Sequence, residues 1–243
     1  MAPPSDKANH DGCNACTCRD QSSWQVLSED DLERVNRARR TRRYEPGDTV
    51  FAQGEDDRCV YCVKAGTIAE RRLDAEGNSV LLGLNYASDL VGYRSFLNGG
   101  THRTSAEAVS QATVCVIDAA VVGEVMDKTP ELTREFLRRS TAEVEQAQDT
   151  IFRSATLSNR DRLLQLLQEL MRRHGTMAAD GSCRIDLPVS RRDIASMIGV
   201  RHETLSRIIG RLEAEGLARF SGRHVTVASP RALAAAASQR SAD

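Results

Sequence analysis

The sequence predicts an α+β protein in which an antiparallel β-roll is followed by a long helix and a C-terminal winged helix-turn-helix. Turn sequences recur about every ten residues over 44–118, as they do between the short strands of barrels and rolls. An apolar heptad follows Pro130, and two short amphipathic helices flank Gly199. We therefore predict an N-terminal cysteine-bearing flexible segment over 1–26, a β-roll over 27–130, a helix over 131–158 and a winged helix-turn-helix over 159–243.

The composition is that of an ordinary globular protein. Of the 243 residues, 40% are hydrophobic and 28% are charged, and the formal net charge is −1. No apolar run approaches the roughly 18–20 residues that a membrane span needs, and the N-terminus lacks the apolar stretch of a secretory signal. We therefore expect a cytoplasmic protein without a membrane partner.

The charge is distributed unevenly along the chain. Residues 1–150 contain 18 basic and 25 acidic side chains, whereas residues 151–243 contain 15 basic and 9 acidic ones. All but three of the basic residues are arginines, whose planar guanidinium suits phosphate and guanine. This basic excess favours a nucleic-acid partner for the C-terminal part, although an ordinary solvated surface is also compatible with it.

The predicted long helix carries a narrow apolar stripe. Leu137, Val144 and Ile151 recur every seven residues, and Ala147 lies between the last two, as in a coiled-coil seam. A helix that packs on its own β-roll is the alternative interpretation. The stripe is flanked by charged and polar residues and would bury little surface alone, so we predict that these four residues form a homodimer interface.

Residues 190–212 contain the strongest motif in the sequence. Ser190 is placed to cap a short helix, and Gly199 follows where a tight turn requires a positive φ. A second helix begins near Arg201, and residues 215–227 predict two strands around a turn at Ser221 and Gly222. These are the elements of a winged helix-turn-helix, whose second helix enters the major groove of double-stranded DNA.

Side chains at the start of the second helix are candidates for base recognition. Arg207 has the donors for guanine, Glu203 can accept a hydrogen bond from cytosine, and Ser206 is compatible with several bases. His202 lies beside them. Alternatively, Glu203 and Arg207, four residues apart, form only a helical ion pair. We predict phosphate contacts for the arginines around the motif, which are Arg191, Arg192, Arg201 and Arg223.

The seven cysteines are the second distinctive feature. In a reducing cytoplasm, clustered cysteines favour metal or redox chemistry over disulfides. The N-terminal cluster, with the spacing C-x2-C-x-C, consists of Cys13, Cys16 and Cys18. A zinc site formed by two C-x2-C pairs, Cys13 with Cys16 and Cys59 with Cys62, is disfavoured, because residues three apart on a strand point to opposite faces. We expect Cys59 and Cys62 to be small buried side chains and Cys183 to be a single thiol in a loop.

The order of these elements, together with the sequence RRDIASMIGVRHETLSRIIGRLEAEGL at 191–217, resembles the CRP/FNR family of bacterial transcription regulators. The stretch ETLSR resembles the FNR branch, which implies that Glu203, Ser206 and Arg207 read a TTGAT-type half-site. The resemblance covers the chain from about residue 27 onward. It implies a cyclic-nucleotide-binding-like sensor domain, a DNA-binding homodimer, contact with RNA polymerase and no enzymatic activity.

The resemblance also gives the cysteines a role. FNR-type sensors hold an oxygen-labile 4Fe–4S cluster with three N-terminal cysteines and one from a strand of the β-roll, and a cubane requires four such thiolates. The implied ligands here are Cys13, Cys16, Cys18 and Cys115. Cys18 follows Cys16 after one residue, where the family leaves a longer gap. The expected function is therefore transcription regulation in response to oxygen, redox state or nitric oxide.

The family's phosphate-binding cassette is altered in this chain. Where the family has Gly-Glu-Leu followed by an Arg-Ser or Arg-Thr pair, this chain has Ser88, Asp89 and Leu90 followed by Arg103 and Thr104. The Asp89 carboxylate would fall one methylene short of a ribose. We therefore do not expect a cyclic nucleotide to bind.

Three other functions are compatible with parts of the sequence. A clusterless family member could be controlled by thiol oxidation or another small effector. A haem-dependent gas sensor would use histidines such as His102 and His10. The third is a thiol- or metal-based redox enzyme or electron carrier, which is disfavoured because the sequence has no nucleophile–His–acid arrangement or nucleotide loop.

Overall fold

The computed structural model of the chain describes residues 12–13, 16–56 and 58–238. It contains two compact units, Met1–Val144 and Glu145–Asp243, and the division falls within the long helix. Among the described residues, the first unit contains two antiparallel sheets and the second contains one, and each unit has its own buried apolar side chains. Within the described ranges, no helix combines the length and the apolar character needed to cross a lipid bilayer.

The described N-terminal unit begins with helical turns that lead into a capped helix. Two turns of 3-10 helix, Arg19–Gln21 and Ser23–Val26, precede helix α1 at Glu29–Ala38. The Ser28 side chain accepts a hydrogen bond from the Asp31 N–H at 3.2 Å, which satisfies one of the unpaired donors of the first turn. Leu32 and Val35 form the buried face of α1.

The β-roll predicted from the turn spacing is confirmed. Its strands within the described residues are β1 Arg39–Tyr44, β2 Thr49–Phe51, β3 Cys59–Ala65, β4 Ile68–Leu73, β5 Ser79–Asn85, β6 Leu90–Val91, β7 Ser105–Ala108 and β8 Ala112–Asp118. They form two four-stranded sheets, ordered β1-β8-β3-β6 and β2-β7-β4-β5. Helix α2, Tyr93–Asn98, connects β6 to β7, and the strand pairings are antiparallel.

The sheet that contains β3 and β8 separates two apolar cores. On one face, Val63 and Val114 pack with residues of the second sheet, such as Ile68 and Phe51. The opposite face packs against helices, in a core that contains Cys62 and Cys115. The members of this helical core that lie outside the strands are Trp24, Leu27, Leu32, Val35, Tyr93, Val122, Val125, Leu132 and Phe136. The face of the sheet that carries the two cysteines is therefore also the face that receives the helices.

Two further helices follow the β-roll, α3 at Ala119–Lys128 and α4 at Pro130–Thr156. Helix α4 spans nearly the predicted range, and Phe136 is buried in the helical core. Leu137, Val144 and Ile151 are 66%, 56% and 68% exposed. The apolar stripe therefore lies on the surface of the single chain, where a second copy has access to it.

The C-terminal unit confirms the winged helix-turn-helix. After α4 come α5 Asn159–His174, β9 Gly175–Met177, β10 Cys183–Asp186, α6 Arg191–Met197, α7 His202–Ala214, β11 Ala218–Ser221, β12 His224–Val227 and α8 Pro230–Ser238. The four strands form one sheet, ordered β11-β12-β10-β9. Gly199 has a φ of +66°, as the turn between α6 and α7 requires. The hairpin of β11 and β12 is the predicted wing.

Helix α5 begins at Asn159, because the Ser158 side chain caps it by accepting from the Asp161 N–H at 3.2 Å. One expectation for this unit is corrected. The expectation that Cys183 is a loop thiol is wrong. Cys183 begins strand β10, where it pairs with Val227 and Met177, and burial raises the pKa of its thiol.

Candidate metal centre and DNA-binding surface

A single cavity in the N-terminal unit is lined by five of the seven cysteines. Its lining residues are Cys13, Cys16, Cys18, Arg19, Ser22, Trp24, Cys62, Lys64, Cys115 and Ile117. The N-terminal segment forms one wall, and strands β3 and β8 form the opposite wall. All four cysteines expected from the resemblance to be ligands therefore lie on one cavity, and Cys62 lies there with them.

Cys115 lines this cavity from strand β8 and has polar neighbours on β1. It lies opposite Thr41 on β1 and opposite Cys62 on β3. The Arg39 Nη1 donates to the Cys115 Sγ at 3.5 Å, and the Thr41 Oγ1 lies 4.0 Å from the same sulfur. Arg39 also donates from Nη1 to Thr41 Oγ1 at 2.9 Å, so both polar neighbours of this sulfur are fixed on β1.

Burial and neighbouring thiols raise the pKa values of Cys13 and Cys62. Burial raises the pKa of Cys13 to about 11, although Arg39 acts in the opposite direction. Burial also raises the pKa of the Cys62 thiol, and the neighbouring Cys115 raises it further. Both groups are therefore protonated thiols near neutral pH unless a metal displaces their protons.

Cys59 does not line the cavity. Cys59 is half-buried and absent from the lining, whereas Cys62, three residues later on β3, faces the cavity. This agrees with the expectation that the two side chains point to opposite faces. The described residues contain no group of three or more His, Cys, Asp or Glu side chains spaced to hold a single metal ion.

The second candidate site is the exposed start of α7. His202, Glu203, Ser206 and Arg207 are all exposed there, while Leu205 and Ile208 are buried against the domain. Arg207 Nη2 donates to the Thr204 Oγ1 at 3.2 Å and not to Glu203, so the alternative helical ion pair is not formed. The predicted base-reading side chains thus share one solvent-facing surface.

The arginines expected to contact phosphate differ in their surroundings. Arg192, Arg201 and Arg223 are exposed. Arg191 is half-buried, donates from Nη2 to the Phe220 carbonyl oxygen at 3.4 Å and lies 6.0 Å from the centroid of the Phe220 ring. Arg191 therefore joins α6 to the wing, and its contact with phosphate stays a prediction.

Comparisons with known proteins agree with this architecture. The family model described as a cyclic nucleotide-binding domain matches residues 41–129, and that of a Crp-like helix-turn-helix domain matches residues 161–236. The fumarate and nitrate reduction regulatory proteins of Salmonella typhimurium and Escherichia coli K12 are each 28% identical to the chain. The first alignment covers 93% of this chain and 92% of the relative, and the second covers 92% and 90%.

Solved structures of the same architecture are also similar. FixK2 from Bradyrhizobium japonicum aligns with a TM-score of 0.67 and 24% identity over 81% of this chain and 96% of that one. The c-di-GMP-responsive regulator CLP from Xanthomonas campestris aligns with a TM-score of 0.72 and 19% identity, over 82% and 99% of the two chains.

The chain belongs to the CRP/FNR family. It is a transcription regulator with a DNA-binding helix-turn-helix, in a family whose members bind DNA and form dimers, and it is not an enzyme. The exposed apolar stripe on α4 agrees with family dimerisation. The assignment of Leu137, Val144, Ala147 and Ile151 to the interface stays a prediction.

Residues of the altered phosphate cassette form hydrogen bonds with other residues of the chain. Asp89 Oδ1 accepts from Arg139 on α4 at 2.8 Å, and its Oδ2 accepts from the Tyr86 N–H at 2.8 Å. Thr104 donates to Glu70 Oε1 at 2.6 Å, and Ser88 is buried with a φ of +79°. These contacts support the expectation that the chain does not bind cyclic nucleotide, which stays a prediction.

The haem alternative receives no support from the surroundings of His102. The ring of His102 is buried and stacks on Phe51 with 3.9 Å between centroids, and burial lowers its pKa. It therefore packs as an apolar-core residue. His10, the other candidate, lies outside the described residues.

Sequence reasoning did not assign Cys62 or Trp24 to the cavity. Cys62 was expected to be a small buried side chain, and it is buried, but it also lines the cavity opposite Cys115. Trp24, the only tryptophan of the chain, lines the same cavity. The alternating apolar pattern of β3 indicates that Cys62 faces inward. Only the register of β3 against β8 identifies its neighbour.

Proposed function

We propose that this regulator is an FNR-like sensor that responds to oxygen, redox state or nitric oxide through an iron–sulfur cluster. Cysteines of the cavity would hold the cluster, and the ligands implied by the resemblance are Cys13, Cys16, Cys18 and Cys115. As a homodimer in the cytoplasm, the protein would bind a TTGAT-type palindrome. The observation that carries the proposal is the meeting of five thiols on one cavity that borders the core of α4.

The donor chemistry of the cavity fits such a cluster. A 4Fe–4S cluster takes one thiolate at each of four irons, so its ligands stand farther apart than those of a single metal ion. Five thiols line the cavity, which is one more than the cluster requires. Arg19 and Lys64 in the lining, and Arg39 at Cys115, supply positive charge for an anionic centre. When bound, the cluster would supply the redox-active centre.

Contacts lead from the cavity to α4, the helix that carries the predicted dimer interface. Trp24 meets Phe136 of α4 edge-on, with 6.2 Å between ring centroids. Phe136 in turn meets Tyr93 at 5.5 Å, and the Tyr93 hydroxyl donates to Glu143 Oε1 on α4 at 2.7 Å. Tightly packed side chains have few alternative arrangements. A change in the wall of the cavity is therefore expected to shift α4.

The DNA-binding part of the proposal depends on two copies of α7. In a helix-turn-helix dimer, the recognition helices enter major grooves about one helical turn apart, which places the half-sites of a palindrome at that spacing. Arg207, Glu203 and Ser206 would read the bases, and exposed arginines would contact phosphates. RNA polymerase is an expected partner by family resemblance alone.

The proposal is tested by anaerobic purification followed by visible absorption and analysis of iron and acid-labile sulfide. The expected result is a coloured protein that binds a TTGAT palindrome in preference to a scrambled duplex and loses this preference after exposure to air. The Cys115→Ser variant should lose the iron, whereas Cys183→Ser, in the other unit, should retain it. A colourless and iron-free wild-type protein would refute the cluster.

A second candidate, a clusterless regulator controlled by thiol oxidation, is favoured by one observation. Cys62 and Cys115 face each other directly across two antiparallel strands, and such positions fall within the Cα separations that disulfides span. Iron-free protein that still binds its palindrome, and releases it when a low-molecular-weight disulfide oxidises the pair, would replace the first proposal with this one.

A further inference from the structure

Cys62 lines the cavity beside Cys115. It lies directly opposite Cys115 in the antiparallel pairing of β3 and β8, and directly opposite residues project from the same face of a sheet. Both side chains are 6% exposed and both line the cavity. Two thiols on the strands therefore face the C-x2-C pair of Cys13 and Cys16 on the N-terminal segment.

The Cys18 thiol forms a hydrogen bond with the protein backbone. Its thiol donates a hydrogen bond to the backbone carbonyl oxygen of Lys64 at 3.3 Å. A metal-bound cysteine is a thiolate and has no proton to donate. Ligation by Cys18 would therefore break this hydrogen bond and leave a negatively charged sulfur beside a carbonyl oxygen, which is also negatively polarised.

A buried donor is available on the Cys62 side of the cavity. The Trp24 side chain is 3% exposed, lines the cavity and interacts with Cys62. Its indole Nε1 is buried without a hydrogen bond of ordinary geometry among the described residues. Metal-bound sulfur commonly accepts hydrogen bonds from the surrounding protein, and these bonds tune the metal centre. An indole N–H in this position suits a sulfur ligand at Cys62.

We propose that Cys62 takes the fourth ligand position, with Cys13, Cys16 and Cys115, while Cys18 keeps its hydrogen bond to the Lys64 carbonyl oxygen. This assignment rests on the proposed function, because it names the ligands of the same cluster. The resemblance implies three ligands from the N-terminal segment and one from a strand. This assignment instead gives two ligands from that segment and two from neighbouring strands.

The test compares iron and acid-labile sulfide per chain in anaerobically purified wild type and in the Cys62→Ser, Cys18→Ser and Cys59→Ser variants. Cys59→Ser is the matched control, since Cys59 is on the same strand and outside the cavity lining. We expect Cys62→Ser to fall at least tenfold in iron and to lose its visible absorption, and Cys18→Ser and Cys59→Ser to stay within twofold of wild type.

Far-UV circular dichroism and thermal unfolding establish that each variant is folded, and Cys62→Ala replaces Cys62→Ser if the serine variant does not fold. Loss of iron in folded Cys18→Ser, or its retention in the Cys62 variants, overturns the ligand assignment while the cluster itself stands. Wild type that contains no iron overturns the proposed function, and with it this assignment.

Discussion

The thiol cavity and the recognition helix are built in opposite ways. The cavity is lined by buried and half-buried side chains from segments that lie far apart in sequence, from Cys13 to Ile117. The recognition surface lies on a single helix, with Glu203, Ser206 and Arg207 exposed within one and a half turns. A change at the cavity therefore acts through packing and metal affinity, whereas a change on α7 acts on one contact with DNA. The following predictions test this difference, from the largest expected effect to the smallest.

The largest effect on stability is expected at Trp24. Replacement by alanine removes a buried ring that contacts Phe136 and lines the cavity, and it should lower the free energy of unfolding by about 3–5 kcal/mol. Urea denaturation followed by circular dichroism measures the loss. Trp24→Phe, which keeps an aromatic ring, is the matched variant and should lose less than half as much. Equal losses in the two variants would show that ring packing is not the cause.

The next effect concerns the stripe on α4. Ile151→Asp introduces a charge into both copies of an apolar seam and removes burial of about 1.5–3 kcal/mol per side chain, so the dimer dissociation constant should rise about 100-fold or more. Sedimentation velocity measures this change. Gln146→Asp, exposed on the same helix and off the stripe, should leave the dimer intact. Dimerisation unaffected by Ile151→Asp would contradict the assigned interface.

The composition of the seam sharpens this expectation. Its core positions contain no acidic residue, so no charge repulsion there opposes pairing when the sensor is inactive. We therefore expect the dimer to persist in air-exposed protein. Sedimentation of air-exposed wild type as monomer alone would contradict this, even if Ile151→Asp behaves as expected.

The contrast between the two sites also explains what the sequence predicts well. The helix-turn-helix depends on spacing within one contiguous stretch: a cap at Ser190, a positive φ at Gly199 and apolar residues at helical intervals. Each of these is local, and the structure confirms each of them. The β-roll likewise follows from the spacing of its turns, because strand length and turn chemistry are local properties.

The cavity could be predicted only in part, because its composition depends on strand register. That Cys115 shares a site with the N-terminal cysteines is implied by the family resemblance, and all of them line one cavity. That Cys62 joins them depends on β3 pairing with β8 at the register Cys62 opposite Cys115. A shift by one residue would turn Cys62 to the other face, and nothing local in the sequence excludes that shift.

A smaller effect is expected at the recognition helix. Arg207→Ala should weaken binding to a TTGAT palindrome by about 1–3 kcal/mol, and it should relax the preference at one base pair, because a bidentate contact to guanine is lost. Fluorescence anisotropy on duplexes with single substitutions measures both quantities. Arg192→Ala is the comparison, and it should weaken all duplexes alike and reduce the salt dependence. Uniform weakening by Arg207→Ala would assign that residue to phosphate.

The smallest effect compares two helix caps, one in each unit. Ser190 and Asp193 form a complete capping box, in which the Ser190 N–H donates to Asp193 Oδ2 at 2.9 Å and the Asp193 N–H donates to Ser190 Oγ at 3.2 Å. At α1, Ser28 accepts from the Asp31 N–H at 3.2 Å, but the Asp31 carboxylate accepts from the Ser28 hydroxyl at 2.9 Å instead of from the backbone.

Loss of a cap costs about 0.5–2 kcal/mol, and burial makes the unpaired group more costly. The contacts of Ser190 are part-buried and those of Ser28 are exposed, so Ser190→Ala should destabilise α6 by more than Ser28→Ala destabilises α1. Amide hydrogen exchange in each helix measures the two losses separately. A larger loss at Ser28 would mean that burial does not set the cost of a cap here. The stability of the helix-turn-helix would then depend no more on its helix cap than the stability of the N-terminal unit does.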